Sequence, residues 1–403
     1  MRKLVVVSIA LVAAAGCASS SSPFQNTNTA VPPIVQTNNK HTREKQVPAG
    51  QHIFRFETFG DERFWTNTAH LNTVIQTAVS PKVAFSVGLK VDADALPASL
   101  LAAIRGGKVD LNSPATTVTL IKLGAVVGVV GNVDGHNNLR SVGISCALCH
   151  STVNNSVAPG IGQRLDGWPN RDLNPGAIVA LSPAIPAAQK TVYNSWGPGR
   201  YDPRFNIDHI NGPVLIPPAY GLAGVNLATY TGDGPISYWN DYVAVTQMHG
   251  LGNFSDPRLG PAYTFTSQVN LVSPKLPALL AYQLSLAKPA VPAPSDPAAV
   301  ERGRALFVGA AKCSSCHALP TFTDANVRLH SPTEDGTDPG WALRSATKMY
   351  RTTPLRALAL HPPYFHDGSA ATLSDVVNHY DGLFSLGLTD QQKSDLVQYL
   401  ATL

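Results

Sequence analysis

The sequence predicts a mainly α-helical protein with two helical domains of one kind and a mixed α/β N-terminal module. A five-residue Cys-x-x-Cys-His motif occurs twice, at 146–150 and at 313–317, which indicates two related domains. Glycine and proline number 32 each among 403 residues, as is typical of short helices joined by long ordered loops. With 44% apolar residues, the chain can bury two or three hydrophobic cores.

Each motif is the attachment signature of a c-type haem, in which two thiols add to the porphyrin vinyl groups and the histidine ligates iron. Two disulfides or a zinc site are the alternative use of four cysteines, but neither needs a histidine directly after each second cysteine. The sequence therefore predicts two covalently attached haem c groups. The predicted cofactor-binding residues are Cys146, Cys149, His150, Cys313, Cys316 and His317.

The first 17 residues have the pattern of a bacterial export signal. Arg2 and Lys3 precede an apolar run at 4–15, and small residues stand directly before Cys17. Lipidation of Cys17 would tether the protein to the membrane on the periplasmic side; ordinary cleavage near Ala18 is the alternative. Loss of Arg2 and Lys3 would leave 28 basic residues against 26 acidic ones. This balance indicates no nucleic-acid partner, and membrane contact only through the anchor.

Composition divides the chain into segments. The predicted order is a signal peptide (1–17), a flexible tether (18–48), the N-terminal module (49–140), the first haem c domain (141–284), a Pro/Ala-rich linker (285–297) and the second haem c domain (298–403).

Periodicity and capping residues predict individual elements within these segments. These are helices over Phe64–Val79, Pro97–Arg105, Ala298–Phe307 (opened by Pro297) and Thr389–Thr402, and a strand over Thr116–Val133 that ends in a turn at 134–137. A weak repeat, Tyr-x-x-Asp-Gly at 230–234 and again at 364–368, follows each haem motif and supports two related modules.

The C-terminal segment carries three further runs: YRTTPLR at 350–356, PPYFHDGSAATL at 362–373 and DVVNHY at 375–380. These runs resemble the bacterial di-haem cytochrome c peroxidase and MauG superfamily, which extends to the di-haem rubber oxygenases. The resemblance is strongest over 298–403, looser over 141–250, and does not include 50–140.

The resemblance implies a particular ligand for the second haem iron. On the helix after the His-Asp-Gly turn, these peroxidases have a methionine ligand where this chain has Tyr380, and MauG-type members have a tyrosine. Tyr380 is therefore the expected metal ligand, with the adjacent His379 as a competitor. Met349 is a further candidate, and packing of Tyr380 and His379 on a helix is the alternative. A tyrosinate or histidine ligand would lower the reduction potential relative to methionine.

The resemblance also implies an unusual first haem. The family has a reversibly ligating histidine about a dozen residues after the attachment histidine, where this chain has Gln163, a poor iron ligand. The family's distal glutamate and glutamine have no clear counterparts. The expected catalytic residues are His249, as a distal acid or base with a pKa near neutrality, and Gln247. An ordinary loop histidine is the alternative interpretation of His249.

Three functions are compatible with these motifs. The first is an exported oxidoreductase in which electrons pass through the C-terminal haem to the N-terminal haem for peroxide reduction. The others are a non-catalytic electron carrier and a haem oxidase of the MauG or rubber-oxygenase kind. The expected partners are a small redox protein as electron donor and hydrogen peroxide or O₂ as substrate. Members of the superfamily often hold one Ca²⁺ between domains, and the resemblance implies the same ion here, with no ligands assignable from the sequence.

Overall fold

Helices dominate the fold in the computed structural model, which describes residues 40–403. About 43% of the residues are helical, and the strands are short and arranged in two-stranded sheets. The predicted mainly α class is therefore confirmed. The predicted signal peptide, Cys17 and residues 18–39 of the predicted tether lie outside the described residues. Within the described part, no helix is long and apolar enough to span a membrane.

The α-helices are α1 (Lys40–Phe56), α2 (Leu71–Ala78), α3 (Pro81–Ser86), α4 (Ala98–Arg105), α5 (Pro114–Lys122), α6 (Ala147–His150), α7 (Pro175–Ala180), α8 (Ala187–Ser195), α9 (Phe205–Asp208), α10 (Ile236–Thr246), α11 (Leu276–Ser285), α12 (Pro297–Val308), α13 (Pro332–Asp335), α14 (Gly340–Leu343), α15 (Leu373–Phe384) and α16 (Asp390–Leu400). A π-helix covers Arg63–Thr68. Short 3₁₀ turns cover Ala93–Ala95, Pro257–Leu259, Pro261–Tyr263, Ser273–Lys275, Cys313–Ser315 and Leu358–Leu360.

The strands are β1 (Val91–Asp92), β2 (Val129–Val133), β3 (Leu139–Ile144), β4 (Ser151–Val153), β5 (Ile161–Gly162), β6 (Arg164–Asp166), β7 (Arg200–Tyr201), β8 (Val214–Leu215), β9 (Phe254–Ser255) and β10 (Thr264–Phe265). The pairs β2–β3, β4–β6, β7–β8 and β9–β10 are antiparallel, and β1–β5 is parallel.

Two crossed helix pairs organise the fold, α1 against α11 and α12 against α16. Capping residues stabilise the N-termini of both helices of the second pair. Asp296 caps α12 by accepting hydrogen bonds from the first-turn amides, with Pro297 at the first helical position. Thr389 and Gln392 form a capping box at the start of α16. Between α11 and α12, residues 286–296 form neither helix nor strand.

Secondary-structure elements cross two of the predicted segment boundaries around the first motif. Helix α1 begins at Lys40, so the last nine residues of the predicted tether (40–48) are helical, and α1 packs Ile53 and Phe54 into the same core as Leu279 and Tyr282 of α11. The boundary predicted at 140 falls inside β3. Residues 57–145 are therefore an insertion between the first helix of this domain and its Cys-x-x-Cys-His motif, whereas only 309–312 separate α12 from the second motif.

Two predicted elements within this insertion were wrong in type or extent. The helix predicted over Phe64–Val79 is divided, because His70 adopts a left-handed conformation (φ 55°) between the π-helix and α2. The first part of the predicted Thr116–Val133 strand is helix α5, which Pro114 opens and which buries Val118 and Ile121. Packing of that face outweighs the strand preference of its β-branched residues.

Candidate haem sites

The first Cys-x-x-Cys-His motif forms the short helix α6, with half-buried thiols on Cys146 and Cys149. The Nδ1 atom of His150 lies 3.2 Å from the carbonyl oxygen of Pro217. Because a carbonyl only accepts, Nδ1 carries the proton and Nε2 is left as the ligand atom. Burial lowers the pKa of His150 to about 4, so the ring is neutral at physiological pH, the form that binds iron.

The second motif repeats this arrangement on a 3₁₀ turn. The Nδ1 atom of His317 lies 3.1 Å from the carbonyl oxygen of Phe322, which again leaves Nε2 as the ligand atom. Burial lowers the pKa of His317 to about 4. Both motifs thus have two thiols and a neutral, oriented imidazole, which is the donor set that a c-type haem needs.

A large cavity opens at the second motif. Its volume is about 590 Å³, within the range of cavities that hold cofactors. Cys313, Cys316 and His317 form part of its wall, and most of the remaining wall is apolar or aromatic. The lining includes Phe307, Leu355, Leu358, Tyr364, Phe365, Leu373, Val377, Tyr380, Phe384 and Leu396. The residues present therefore fit a covalently attached haem.

Segments hydrogen-bonded to the first motif contribute to this cavity. Pro217, whose carbonyl holds His150, lines it together with Pro218 and Tyr220. Arg171 also lines it, and the amide of the preceding Asn170 donates to the carbonyl of Cys149 at 2.9 Å. The two candidate haem sites are therefore separated by one shared wall of polypeptide.

Comparison with characterised proteins agrees with these sites. The chain is 34% identical over 120 residues to the methylamine utilization protein MauG of Methylorubrum extorquens, a match that covers 26% of this chain and 34% of that protein. It is 29% identical over 181 residues to the cytochrome-c peroxidase IdrP1 of Denitromonas iodatirespirans, covering 31% of this chain and 48% of that protein. The chain is similar to members of the MauG and di-haem cytochrome c peroxidase superfamily. The predicted resemblance is thereby confirmed.

The matches with these superfamily members span about a third to a half of the length of the curated relatives. No family model matches the chain. Among solved structures, Kuenenia stuttgartiensis hydrazine synthase pressurised with xenon aligns over 48% of this chain and 73% of its own, with a TM-score of 0.32 and 20% identity. A MauG-like protein associated with microbial copper homeostasis aligns over 48% and 74%, with a TM-score of 0.31 and 21% identity.

The two ligand candidates expected from the superfamily for the second haem differ in placement. Tyr380 lines the cavity, and burial raises the pKa of its hydroxyl. The Nε2 atom of the neighbouring His379 lies 2.9 Å from the carbonyl oxygen of Asp335. Of these two side chains, Tyr380 is therefore the one presented to the cavity. Met349 is half-buried and does not line it.

Gln247, the first catalytic candidate, is buried and well anchored near the first motif. Its Oε1 accepts from the hydroxyl of Tyr201 at 2.8 Å, and its Nε2 donates to Asn206 and Thr246 at 3.1 and 2.9 Å. Burial raises the pKa of Tyr201, and Cys149 is among its close electrostatic neighbours. Sequence reasoning missed Tyr201, which links Gln247 to the haem attachment site.

His249, the second catalytic candidate, has an aromatic environment instead. Its ring stacks on Phe64 with centroids 3.6 Å apart and an interplanar angle of 22°, and it meets the edge of Trp65 at 6.0 Å. Burial lowers the pKa of His249 to about 4. The near-neutral pKa of an unperturbed histidine therefore does not apply to His249, because the insertion that carries Phe64 and Trp65 desolvates the ring; its catalytic role stays a prediction.

Gln163 is exposed and hydrogen-bonds Asn154 on the surface. Sequence reasoning also missed Asp61, a fully buried carboxyl that accepts from the amide of Ile144 at 3.2 Å. Burial raises the pKa of Asp61 to about 9, and it is an electrostatic neighbour of Cys146. A proton-bearing acid therefore lies beside the first haem attachment site at neutral pH. Its neighbours Glu62 and Arg63 are charged, so the sequence gives no signal of its burial.

One cluster in the described residues has metal-ligating side chains, Cys316, Asp324 and His330. The Nε2 atom of His330 lies 2.9 Å from Asp324, and its Nδ1 lies 3.0 Å from Glu334. Because haem attachment would consume the Cys316 thiol, this cluster is best explained as a buried histidine held by two carboxylates. It lacks the many oxygen ligands that Ca²⁺ takes, and the predicted calcium stays a prediction.

Proposed function

We propose that this chain is an exported di-haem c-type cytochrome that reduces hydrogen peroxide. In this proposal electrons enter at the haem bound through Cys313, Cys316 and His317 and pass to the haem bound through Cys146 and Cys149. Similarity to MauG and to a cytochrome-c peroxidase and the two oriented, neutral histidines support it.

The wall shared by the two sites is the observation that carries the proposal. His150 hydrogen-bonds Pro217, and Pro217 lines the cavity of the second site. The amides of Gly167 and Asn170 bond the carbonyls of His150 and Cys149 at 2.8 and 2.9 Å, and Arg171 enters the cavity next in sequence. Short covalent and hydrogen-bonded connections of this kind suit electron transfer between the two groups.

The reaction itself consumes two electrons and two protons for each hydrogen peroxide, which is converted to two waters as its O–O bond breaks. The haem groups, when bound, supply the iron that exchanges these electrons. Gln163 stands where the superfamily has a reversibly ligating histidine, and its side chain is exposed. This supports an open coordination position on the iron at the first site. Tyr201 and Gln247 form a hydrogen-bonded polar pair, Tyr201 is an electrostatic neighbour of Cys149, and Asp61 holds a proton near Cys146.

Electron paramagnetic resonance of the oxidised protein tests the proposal, before and after hydrogen peroxide is added with an electron donor. A high-spin ferric signal that peroxide consumes is the expected result. The variants H150A and H317A should each remove one haem signal, which assigns the signals to the two motifs. Two low-spin signals that peroxide leaves unchanged, also after partial reduction, would contradict the proposal and indicate a non-catalytic electron carrier.

A haem oxidase of the MauG kind is the second candidate, and Tyr380 favours it. The superfamily resemblance gives MauG-type members a tyrosine at this position, and Tyr380 lines the cavity while His379 is bonded to Asp335. Turnover separates the two candidates. A peroxidase oxidises a small redox protein with one peroxide consumed per two electrons, whereas an oxidase modifies an organic or protein substrate in the absence of that donor.

Export and lipid anchoring at Cys17 are also part of the proposal, supported by the sequence of residues 1–17. Covalent haem attachment agrees with export, because it takes place outside the cytoplasm. Fractionation of cells that express the full chain tests the anchor. Wild-type protein should sediment with membranes, and C17S should not; equal distribution of the two proteins would contradict lipidation.

A further inference from the structure

Two half-buried arginines at the second cavity have no carboxylate partner. Arg171 and Arg351 both line the cavity, and neither forms an ion pair with any residue in the described part of the chain. Arginines with buried side chains elsewhere are paired: Arg164 with Asp92, Arg204 with Asp233 and Arg344 with Asp202. The carboxylates in the cavity wall, Glu334 and Asp335, form no ion pair with Arg171 or Arg351; Glu334 pairs with Arg328 and His330.

Several guanidinium nitrogens of this pair are also unsatisfied. Nε and Nη1 of Arg171 and Nε of Arg351 are inaccessible to solvent and find no hydrogen-bond acceptor among the described residues. One further donor of each arginine is used on a backbone carbonyl, Arg171 Nη2 on His361 at 3.2 Å and Arg351 Nη1 on Leu227. Burial lowers the pKa of Arg351 to about 10, which reflects the cost of a buried cation without an anion.

An anionic group that occupies the cavity would satisfy these donors. Arginine presents a planar set of donors that matches a carboxylate, and charge-assisted hydrogen bonds of this kind are the strong ones. A haem carries two propionate carboxylates, and the same cavity contains Cys313, Cys316 and His317. The ligand that these donors fit is therefore the carboxylate edge of the haem.

We propose that Arg171 and Arg351 bind the propionates of the second haem, an inference that rests on the proposed attachment of that haem to Cys313 and Cys316. The two arginines come from different halves of the chain. Arg351 belongs to the second haem segment, whereas Arg171 follows Asn170, whose amide is bonded to Cys149 of the first motif. The propionates are thus an ionic link between the halves, and Arg171 is a positioning residue that ties the second haem to the loop of the first.

Redox potentiometry of the full, haem-loaded protein between pH 5 and pH 9 tests this assignment. In R171Q and R351Q, an ionised propionate loses its counter-charge, and the ferric state gains stability relative to the ferrous state. The potential of the second haem should therefore fall, and it should become dependent on pH as the propionate takes up protons within this range. We expect a change of about tenfold in the ferric-to-ferrous ratio at fixed potential, which is about 59 mV for one electron.

Three further variants serve as controls. R171K and R351K keep the positive charge and should retain most of the wild-type potential. R304Q removes the exposed Arg304 of α12, which pairs with Glu301 on the surface, and should behave as wild type. If R171Q and R351Q match wild type in potential and in pH dependence while the second haem is attached, the inference is overturned. Absence of the second haem from wild type would instead defeat the proposed function.

Infrared difference spectroscopy on wild type keeps the test decisive if the glutamine variants fail to fold. With haem carrying ¹³C-labelled propionates, the redox difference spectrum should show ionised carboxylate bands throughout the range. A labelled, protonated carboxylic acid band at pH 7 would overturn the inference, because two guanidinium groups in contact would keep the propionates ionised.

Discussion

Gly50 packs directly against Ala278, so closely that an added β-carbon would lie 2.0 Å from the carbonyl oxygen of Ala278. This contact is where α1 crosses α11. The same relationship recurs where α12 crosses α16, since a β-carbon on Gly303 would lie 2.0 Å from the carbonyl oxygen of Asp395. A tyrosine one turn further along the opposing helix completes each contact. The β-carbon of Tyr282 would lie 2.7 Å from a β-carbon on Gly50, and that of Tyr399 would lie 2.8 Å from a β-carbon on Gly303. The two halves therefore share one helix-crossing design.

Alanine at either crossing glycine should destabilise the protein. The backbones must move apart to admit a methyl group, and overpacking of this kind costs about 1–3 kcal/mol or more. G303A and G50A should lower the free energy of unfolding by that amount in urea titrations. The matched control is G382A in α15, where nothing lies near the built β-carbon and alanine is favoured by roughly 0.5–1 kcal/mol. Equal effects of G303A and G382A would contradict the crossing interpretation.

Local signals in the sequence predicted part of this fold. The haem motifs and the helices opened by Pro297 and Thr389 could be identified, because their determinants are a few adjacent residues. The first haem domain could not be delimited, since α1 meets the motif at 146–150 and α11 only in the folded chain. These contacts include the 2.7 Å hydrogen bond from the hydroxyl of Ser145 to the carbonyl of Arg55 and the packing of Gly50 on Ala278. The same limit applies to His249, whose aromatic neighbours Phe64 and Trp65 lie far away in the chain.

Arg344 joins distant segments through the buried carboxylate of Asp202 and the half-buried carboxylate of Asp208. Its guanidinium donates to Asp202 at 2.9 Å twice and to Asp208 at 2.8 and 2.9 Å, and its side chain is 7% exposed. R344A leaves Asp202 buried without a counter-charge, which should cost about 3–5 kcal/mol of unfolding free energy.

Chemical denaturation of R344A with haem bound measures this loss. R140A, which removes a 66% exposed arginine paired with Asp134, is the control and should leave the unfolding midpoint close to wild type. A similar midpoint for R344A would show that the two aspartates find other partners.

Substitution of Tyr380 and of the adjacent His379 distinguishes which of the two ligates the second haem iron. If Tyr380, which lines the cavity, ligates the iron, Y380F should change the absorption and paramagnetic resonance spectra of the second haem and raise its potential, because an anionic ligand that stabilises ferric iron is lost. H379A removes a ring bonded to the carbonyl of Asp335 and should leave those spectra unchanged. The reverse pattern would assign the ligand to His379.

The raised pKa of Asp61 should make the free energy of unfolding depend on pH. Its pKa is about 9 in the folded protein, because burial disfavours the carboxylate, and about 4 in an unfolded chain. The folded state therefore holds a proton that the unfolded state releases between these values. Its stabilising contribution is complete below about pH 4 and is lost as the pH rises toward 9, by up to about 1.4 kcal/mol per pH unit.

D61N replaces this acid with an uncharged group of the same shape, which can still accept from the amide of Ile144. Unfolding free energies measured in urea at pH 5, 7 and 9 should therefore show D61N gaining on wild type at each step. The exposed Asp94 supplies the control, since D94N should follow wild type across the same range. A constant difference between D61N and wild type would mean that Asp61 is ionised in the folded protein, and would remove it as a proton store beside the first haem.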